Sequence, residues 1–261
     1  MTTARTPGKP DRLTRALLRC GLVAGPVFIA AFLLEGAVRD GYQPLRHPVS
    51  SLALGPRGWT QNANFAVTGA LFLAGSAGLR RAGDPATSAD TVPVLIGPVL
   101  IGAAGAGLIA AAVFATDPVN GYPSGTPAAP SRPTRTGTAH NLAAIPVFVG
   151  LPVAALACGR RSWRSGRRRF GLYSGGTALT MLATTALAGA GFGGSPQLVN
   201  VGGLFQRASI VTGFTWLTAV SAQALRRPPA TRGRGHADGL FEVRLPSHPA
   251  VHRLNWMRLR T

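Results

Sequence analysis

Apolar residues in this chain come in long blocks, without the two-residue alternation or the one-sided helical stripe of a soluble fold. Leu17 to Val38, Ala63 to Leu79, Val92 to Ala115, Asn141 to Cys158, Phe170 to Phe192 and Gly203 to Leu225 each run for about the length that crosses a bilayer as a helix. A chain in lipid must satisfy its backbone hydrogen bonds internally. Six such blocks therefore predict an all-α, polytopic integral membrane protein, a bundle of six transmembrane helices. A signal peptide is the competing reading of the first block, because a basic start precedes it. The block is long for that role, and Gly21 and Gly25 stand at the four-residue spacing that suits close helix packing in lipid. Gly171 and Gly175 repeat the spacing in the fifth block.

The connections differ in character. Residues 39–62 form a first loop, with Trp59 where an interfacial aromatic would sit. Thr116 to His140 is rich in Pro and Gly, predicts neither helix nor strand, and reads as the central external loop. Residues 1–16 are basic and polar, and 226–261 are rich in Arg and Pro; both are expected to be disordered and cytoplasmic.

Composition strengthens the membrane reading. Only 13% of the residues are charged, which is too few to cover a soluble surface, against 46% hydrophobic. A net charge of +19 would suggest nucleic acid. That reading needs a basic face on a soluble domain, and none is left once the apolar blocks are removed, so no nucleic-acid partner is expected. The basic residues instead gather on alternate connections: 21 lie at the N-terminus, the second and fourth connections and the tail, and six lie on the other side. The positive-inside rule then puts both termini in the cytoplasm of an inner-membrane protein. Arg160, Arg161, Arg164, Arg167, Arg168 and Arg169 form the densest cluster, a topology signal or a contact with anionic lipid. Cys20 and Cys158 both fall at cytoplasmic ends and are expected as free thiols.

That topology collects the polar helix ends on the outer side. Glu35 ends the first block, Asp117 follows the third, His140 precedes the fourth and Gln206-Arg207 open the sixth. Ionisable groups at membrane depth pair with one another or face a cavity. Arg207 is the one basic group at an outer helix start, and Asp117 or Glu35 is its expected partner. The pieces PVSSLALGPRGWTQNANFAVTGAL (48–71), TDPVNGYPSGTP (116–127), Gly137-Thr138-Ala139-His140 and Gln206-Arg207 resemble, in this combination and order, the bacterial membrane proteins grouped as domain-of-unknown-function family 998 (DUF998). The resemblance spans about residues 17–227. It implies an integral membrane protein of about six helices and brings no activity with it. Its polar motif positions correspond here to Ser50, Asp117, Tyr122, His140, Gln206 and Arg207.

Each candidate has a plainer structural role. Asp117-Pro118 would stop a helix before a Gly121-Tyr122-Pro123 turn, and Ser50 would cap a short interfacial helix. Glu35 would be solvated at the interface, and His140 would be a hydrogen-bonding residue at a helix start. The expected function is an outward-facing polar pocket, formed by Glu35, Ser50, Asp117, Tyr122, His140, Gln206 and Arg207, that binds a lipid headgroup or small solute or serves structure, with no cofactor. A membrane-embedded metal-dependent hydrolase is the alternative. For zinc the chain offers His47 and His140 on that side with Asp117 and Glu35, of which Asp117, His140 and His47 are the candidate set, and no HExxH, GxSxG or P-loop in a usable context. A transporter, needing polar groups near the bilayer midplane, ranks third.

Overall fold

The computed structural model describes residues 11–83, 91–128 and 132–226, the side chains of 91–94 excepted. Among the described residues the fold is all-helical. Its long helices are α1 (Arg12–Ala37), α2 (Gly58–Ala82), α3 (Thr91–Val113), α4 (Arg135–Arg164), α5 (Arg168–Phe192) and α6 (Gly202–Arg226). Four of them, α1, α3, α4 and α6, are long and apolar enough to cross a membrane. Both α2 and α5 have 25 residues, about 37 Å at 1.5 Å per residue, but carry more polar and small residues.

Several helices start before their apolar blocks, and for α1 and α4 a side-chain cap sets the early start. Asp11 caps α1 by accepting from the Thr14 amide at 2.6 Å, and Arg81 of α2 donates to Asp11 at 3.0 Å and to the Thr14 hydroxyl at 3.1 Å. These bonds, the Thr14 amide first, hold the Asp11 carboxyl down at about 2. Residues 12–16 are thus helical where disorder is expected, while residues 1–10 and the tail 227–261 lie outside the described residues. Likewise α4 begins at Arg135, inside the stretch read as loop, because Thr134 accepts from the Gly137 amide at 3.0 Å as its N-cap. Midway along α4, Pro146 lacks an N–H. The helix widens into a π turn over Pro146–Gly150, which relieves the clash of its ring with the preceding turn.

Each helix packs against the next in sequence, and α6 returns to α1, so the six close into a ring. Alternation places α1–α2, α3–α4 and α5–α6 connections on one face, called here the loop face, and both ends of the described chain on the other. Inside the ring Phe28, Phe32, Phe65, Phe72 and Phe214 stack with centroids 4.8–5.7 Å apart, and the Trp216 indole donates to Ser174 at 3.0 Å. Outward the helices show bare apolar side chains, among them Leu34, Val113, Leu142, Leu172 and Leu179, as a lipid-facing surface does. Cys20 and Cys158 are both free thiols.

Close approach sets several glycines. A Cβ on Gly21 would lie 3.2 Å from the Cα of Gly75, and one on Gly25 would lie 2.8 Å from the Phe214 carbonyl oxygen, so the spaced pair of α1 is the seat of both α2 and α6. Of the spaced pair in α5, Gly171 is used this way, against Gly159, while a Cβ on Gly175 would meet nothing within 4 Å.

Candidate functional site

The loop between α1 and α2 folds over the start of α6, and Arg207 holds it there. Its Nη1 donates to the carbonyls of Pro44 (2.5 Å), His47 (3.0 Å) and Gly203 (3.1 Å), and its Nη2 donates to the Tyr42 hydroxyl. The guanidinium carbon also sits 5.6 Å from the Phe32 ring centre and 5.5 Å from that of Tyr42. Gly203 must be glycine here, because a Cβ would lie 2.5 Å from the Pro44 and His47 oxygens. Burial pushes the Tyr42 phenol above its ordinary value despite the nearby guanidinium.

The expected ion pair of Arg207 with Asp117 or Glu35 is therefore corrected: both carboxylates are engaged elsewhere. Glu35 pairs with Arg39 at 2.6 Å and Arg57 at 3.6 Å, beside the Thr60 hydroxyl. Asp117 accepts from the Thr134 amide at 2.9 Å and the Thr134 hydroxyl at 2.7 Å, so it fastens the cap of α4 to the end of α3. Carbonyl oxygens and ring faces take the place of a counter-ion around Arg207.

Three rings lie beside the arginine: Tyr42, His47 and Tyr122, with centroids 5.2–5.6 Å apart. His47 Nδ1 accepts from the Gln43 amide at 2.9 Å, which leaves the ring proton on Nε2, and the ring is held to the backbone of Asn120. Burial, with Arg46 and Arg207 nearby, pushes the imidazole below its ordinary value. His140 is buried on α4, with Nδ1 2.9 Å from the Phe114 carbonyl and its ring 6.0 Å from that of Phe65. Among the described residues no three His, Cys, Asp or Glu side chains are grouped so as to hold a metal. Asp117, His140 and His47, the triad the hydrolase alternative would need, serve separate backbone contacts. Ser50 is corrected as well: it lies inside a 3-10 turn, Val49–Ala53, that follows Pro48 and has no side-chain cap.

Two cavities open at this face. The first, about 200 Å³, occupies the centre of the ring and is lined mostly by apolar groups, among them Phe28, Phe65, Leu108, Val147, Ile210 and Phe214, with His140 and Thr185 on its wall. It exists because α4 packs along α5 only in its terminal-face half; the half before the π turn diverges from α5, with Gly189 and Ala144 lining opposite sides of the gap. The second, about 250 Å³, is a polar vestibule lined by Thr116, Asp117, Asn120, Pro48 and Pro133. Ser50, Asn141, Phe192 and Gln206 line both, so the two meet there. Gln206 Oε1 accepts from the Val49 amide at 2.7 Å, which leaves the side-chain NH2 as a donor.

Of the seven expected pocket residues, Ser50, Asp117, Gln206 and His140 line these cavities, while Glu35, Arg207 and Tyr122 brace the loops around them. Asn120, Asn141 and Thr185 line them too: Asn141 is one of the polar outer helix ends and Thr185 one of the few polar groups near the midplane, while Asn120 is absent from the sequence reading. The Asn120-Gly121 turn dipeptide is the one signal that would have pointed to Asn120. No curated protein and no solved structure matches the chain. Residues 22–223 match the family described as protein of unknown function (DUF998), and the chain belongs to that family.

Proposed function

We propose that the protein binds a membrane amphiphile, with the headgroup in the vestibule and an acyl chain in the central cavity, at a site that opens on the outer side of the membrane. The carrying observation is the contiguity of the two cavities. An apolar chamber and a polar one share Ser50, Asn141, Phe192 and Gln206 as a common wall. Ligand sites combine mostly apolar walls with a few placed polar groups, and this pair supplies both. The gap between the loop-face halves of α4 and α5 is where a chain would pass in from the bilayer. Catalysis is not part of the proposal.

Filling the chamber tests it. Gly189 lines the cavity and a Cβ there meets nothing within 4 Å, so Gly189→Phe projects a ring into the space without touching the backbone of a neighbour. Ala144→Phe does the same from α4. Native mass spectrometry of protein released from lipid nanodiscs should show a retained lipid on the wild type, reduced about tenfold in either variant, the effect of roughly 1.4 kcal/mol. Equal retention by all three, with helicity unchanged, would refute the proposal.

A further inference from the structure

From the donors and acceptors of the vestibule we infer that the headgroup it selects is neutral and hydroxyl-bearing, a glycerol or a sugar, and not a phosphate. The inference rests on the amphiphile reading above and specifies its ligand class. For a lipid already in the bilayer, moving its tail into an apolar chamber removes no apolar surface from water. Hydrocarbon is exchanged for hydrocarbon, so the polar end must carry selectivity.

The polar end is unusual in its charge. Among the described residues its lining contains Asp117 and no Arg, Lys or His, on a protein whose formal charge is +19. A phosphate entering here would meet a carboxylate with no guanidinium to offset it, whereas phosphate sites present Arg, Lys or helix N-termini. The remaining lining side chains with polar atoms are Ser50, Thr116, Asn120, Asn141 and Gln206, all uncharged.

Asn120 supplies the independent sign of a ligand. It is only 6% exposed, it lines the vestibule, and its Nδ2 has no hydrogen-bond partner among the described residues. A buried amide without a partner costs stability; this Nδ2 is closed to a water-sized group as it stands, so a ligand oxygen would satisfy it once the side chain turns toward the vestibule. Gln206 likewise presents NH2, since its oxygen is taken by Val49. Asp117 keeps lone pairs beyond the two that Thr134 engages, so it accepts from a ligand hydroxyl. Donors and an acceptor around one small space match groups that both give and take hydrogen bonds. A hydroxyl does so, while phosphate oxygens only accept and an ammonium only donates.

The test uses the full chain in phosphatidylcholine nanodiscs, since alkyl-glycoside detergents would themselves occupy the site. Equimolar monoglucosyl diacylglycerol, diacylglycerol, phosphatidylglycerol and phosphatidylethanolamine compete for binding, read by native mass spectrometry, with free glucose as a separate arm. Glucosyl lipid and diacylglycerol should dominate, and Asn120→Gly should lower that preference about tenfold, one hydrogen bond's worth. Glycine tolerates the positive φ of 54° at this position, so the turn survives. Glucose displacing the lipids would show that the site takes a free polyol in place of a lipid, which overturns the lipid source while keeping the headgroup chemistry. Phosphatidylglycerol or phosphatidylethanolamine binding as well or better, and still lost in Gly189→Phe, would overturn the headgroup inference and leave amphiphile binding standing. Binding of all lipids indifferent to Gly189→Phe would sink both.

Discussion

Arg207 shows how a buried charge is kept without a counter-ion. The planar guanidinium reaches the Pro44, His47 and Gly203 carbonyls through Nη1 and the Tyr42 hydroxyl through Nη2 at once, and the flat faces of Phe32 and Tyr42 flank the cation. Lysine presents a point charge on a flexible stem and reproduces neither the span nor the stacking. Arg207→Lys should therefore lower stability by about 2–3 kcal/mol, the scale of hydrogen bonds to a charged group. Unfolding titrations in mixed micelles would measure it. Double-mutant cycles locate the partner. Coupling of Arg207→Lys with Tyr42→Phe should exceed about 1 kcal/mol, while coupling with Asp117→Asn or Glu35→Gln should stay within about 0.5 kcal/mol, as for sites that share no partner. A large coupling to either carboxylate would restore the ion pair that sequence alone suggests.

Between elements, one sequence pattern has two meanings. Gly21-x3-Gly25 and Gly171-x3-Gly175 are the same signal on paper, yet a Cβ on Gly25 would run into the backbone of α6 at Phe214 and one on Gly175 would meet nothing within 4 Å. Replacing Gly25 by Ala should cost about 1–3 kcal/mol through overpacking against a carbonyl that has no room to yield. Gly175→Ala should be neutral or stabilise by up to about 1 kcal/mol, because it only raises helix propensity. Opposite signs in the same unfolding titration check this, and equal losses would contradict the packing. The helices themselves were legible because lipid demands long apolar blocks. Their starts were not, because the determinants lie outside those blocks: Asp11 needs Arg81 from α2, and Thr134 needs Asp117 from the far side of the loop. Each cap is itself local, to the amide three residues on, but the partner that fixes it in place is a tertiary contact.

For the whole molecule, the sequence placed the polar helix ends on one face but could not say which of them meet. Closing the ring separates Glu35, Arg207 and Asp117 into three arrangements and brings in Asn120, Asn141 and Thr185, whose roles depend on how α4 leaves α5. The ring also explains the polar residues in α2: Gln61, Asn64 and Thr68 face inward, where Asn64 donates to the Phe28 carbonyl at 3.2 Å. Orientation rests on a different quantity, the 21 basic residues of the terminal side against six on the loop side. In a background with Cys20→Ala and Cys158→Ala, a single cysteine at exposed Ser124 of the central loop should react with a membrane-impermeant maleimide on intact cells. One at exposed Ser165, between α4 and α5, should react only after lysis. The reverse pattern would turn the vestibule toward the cytoplasm. The amphiphile reading would survive that result, but its ligand would then be drawn from the inner leaflet and the site would no longer face outward.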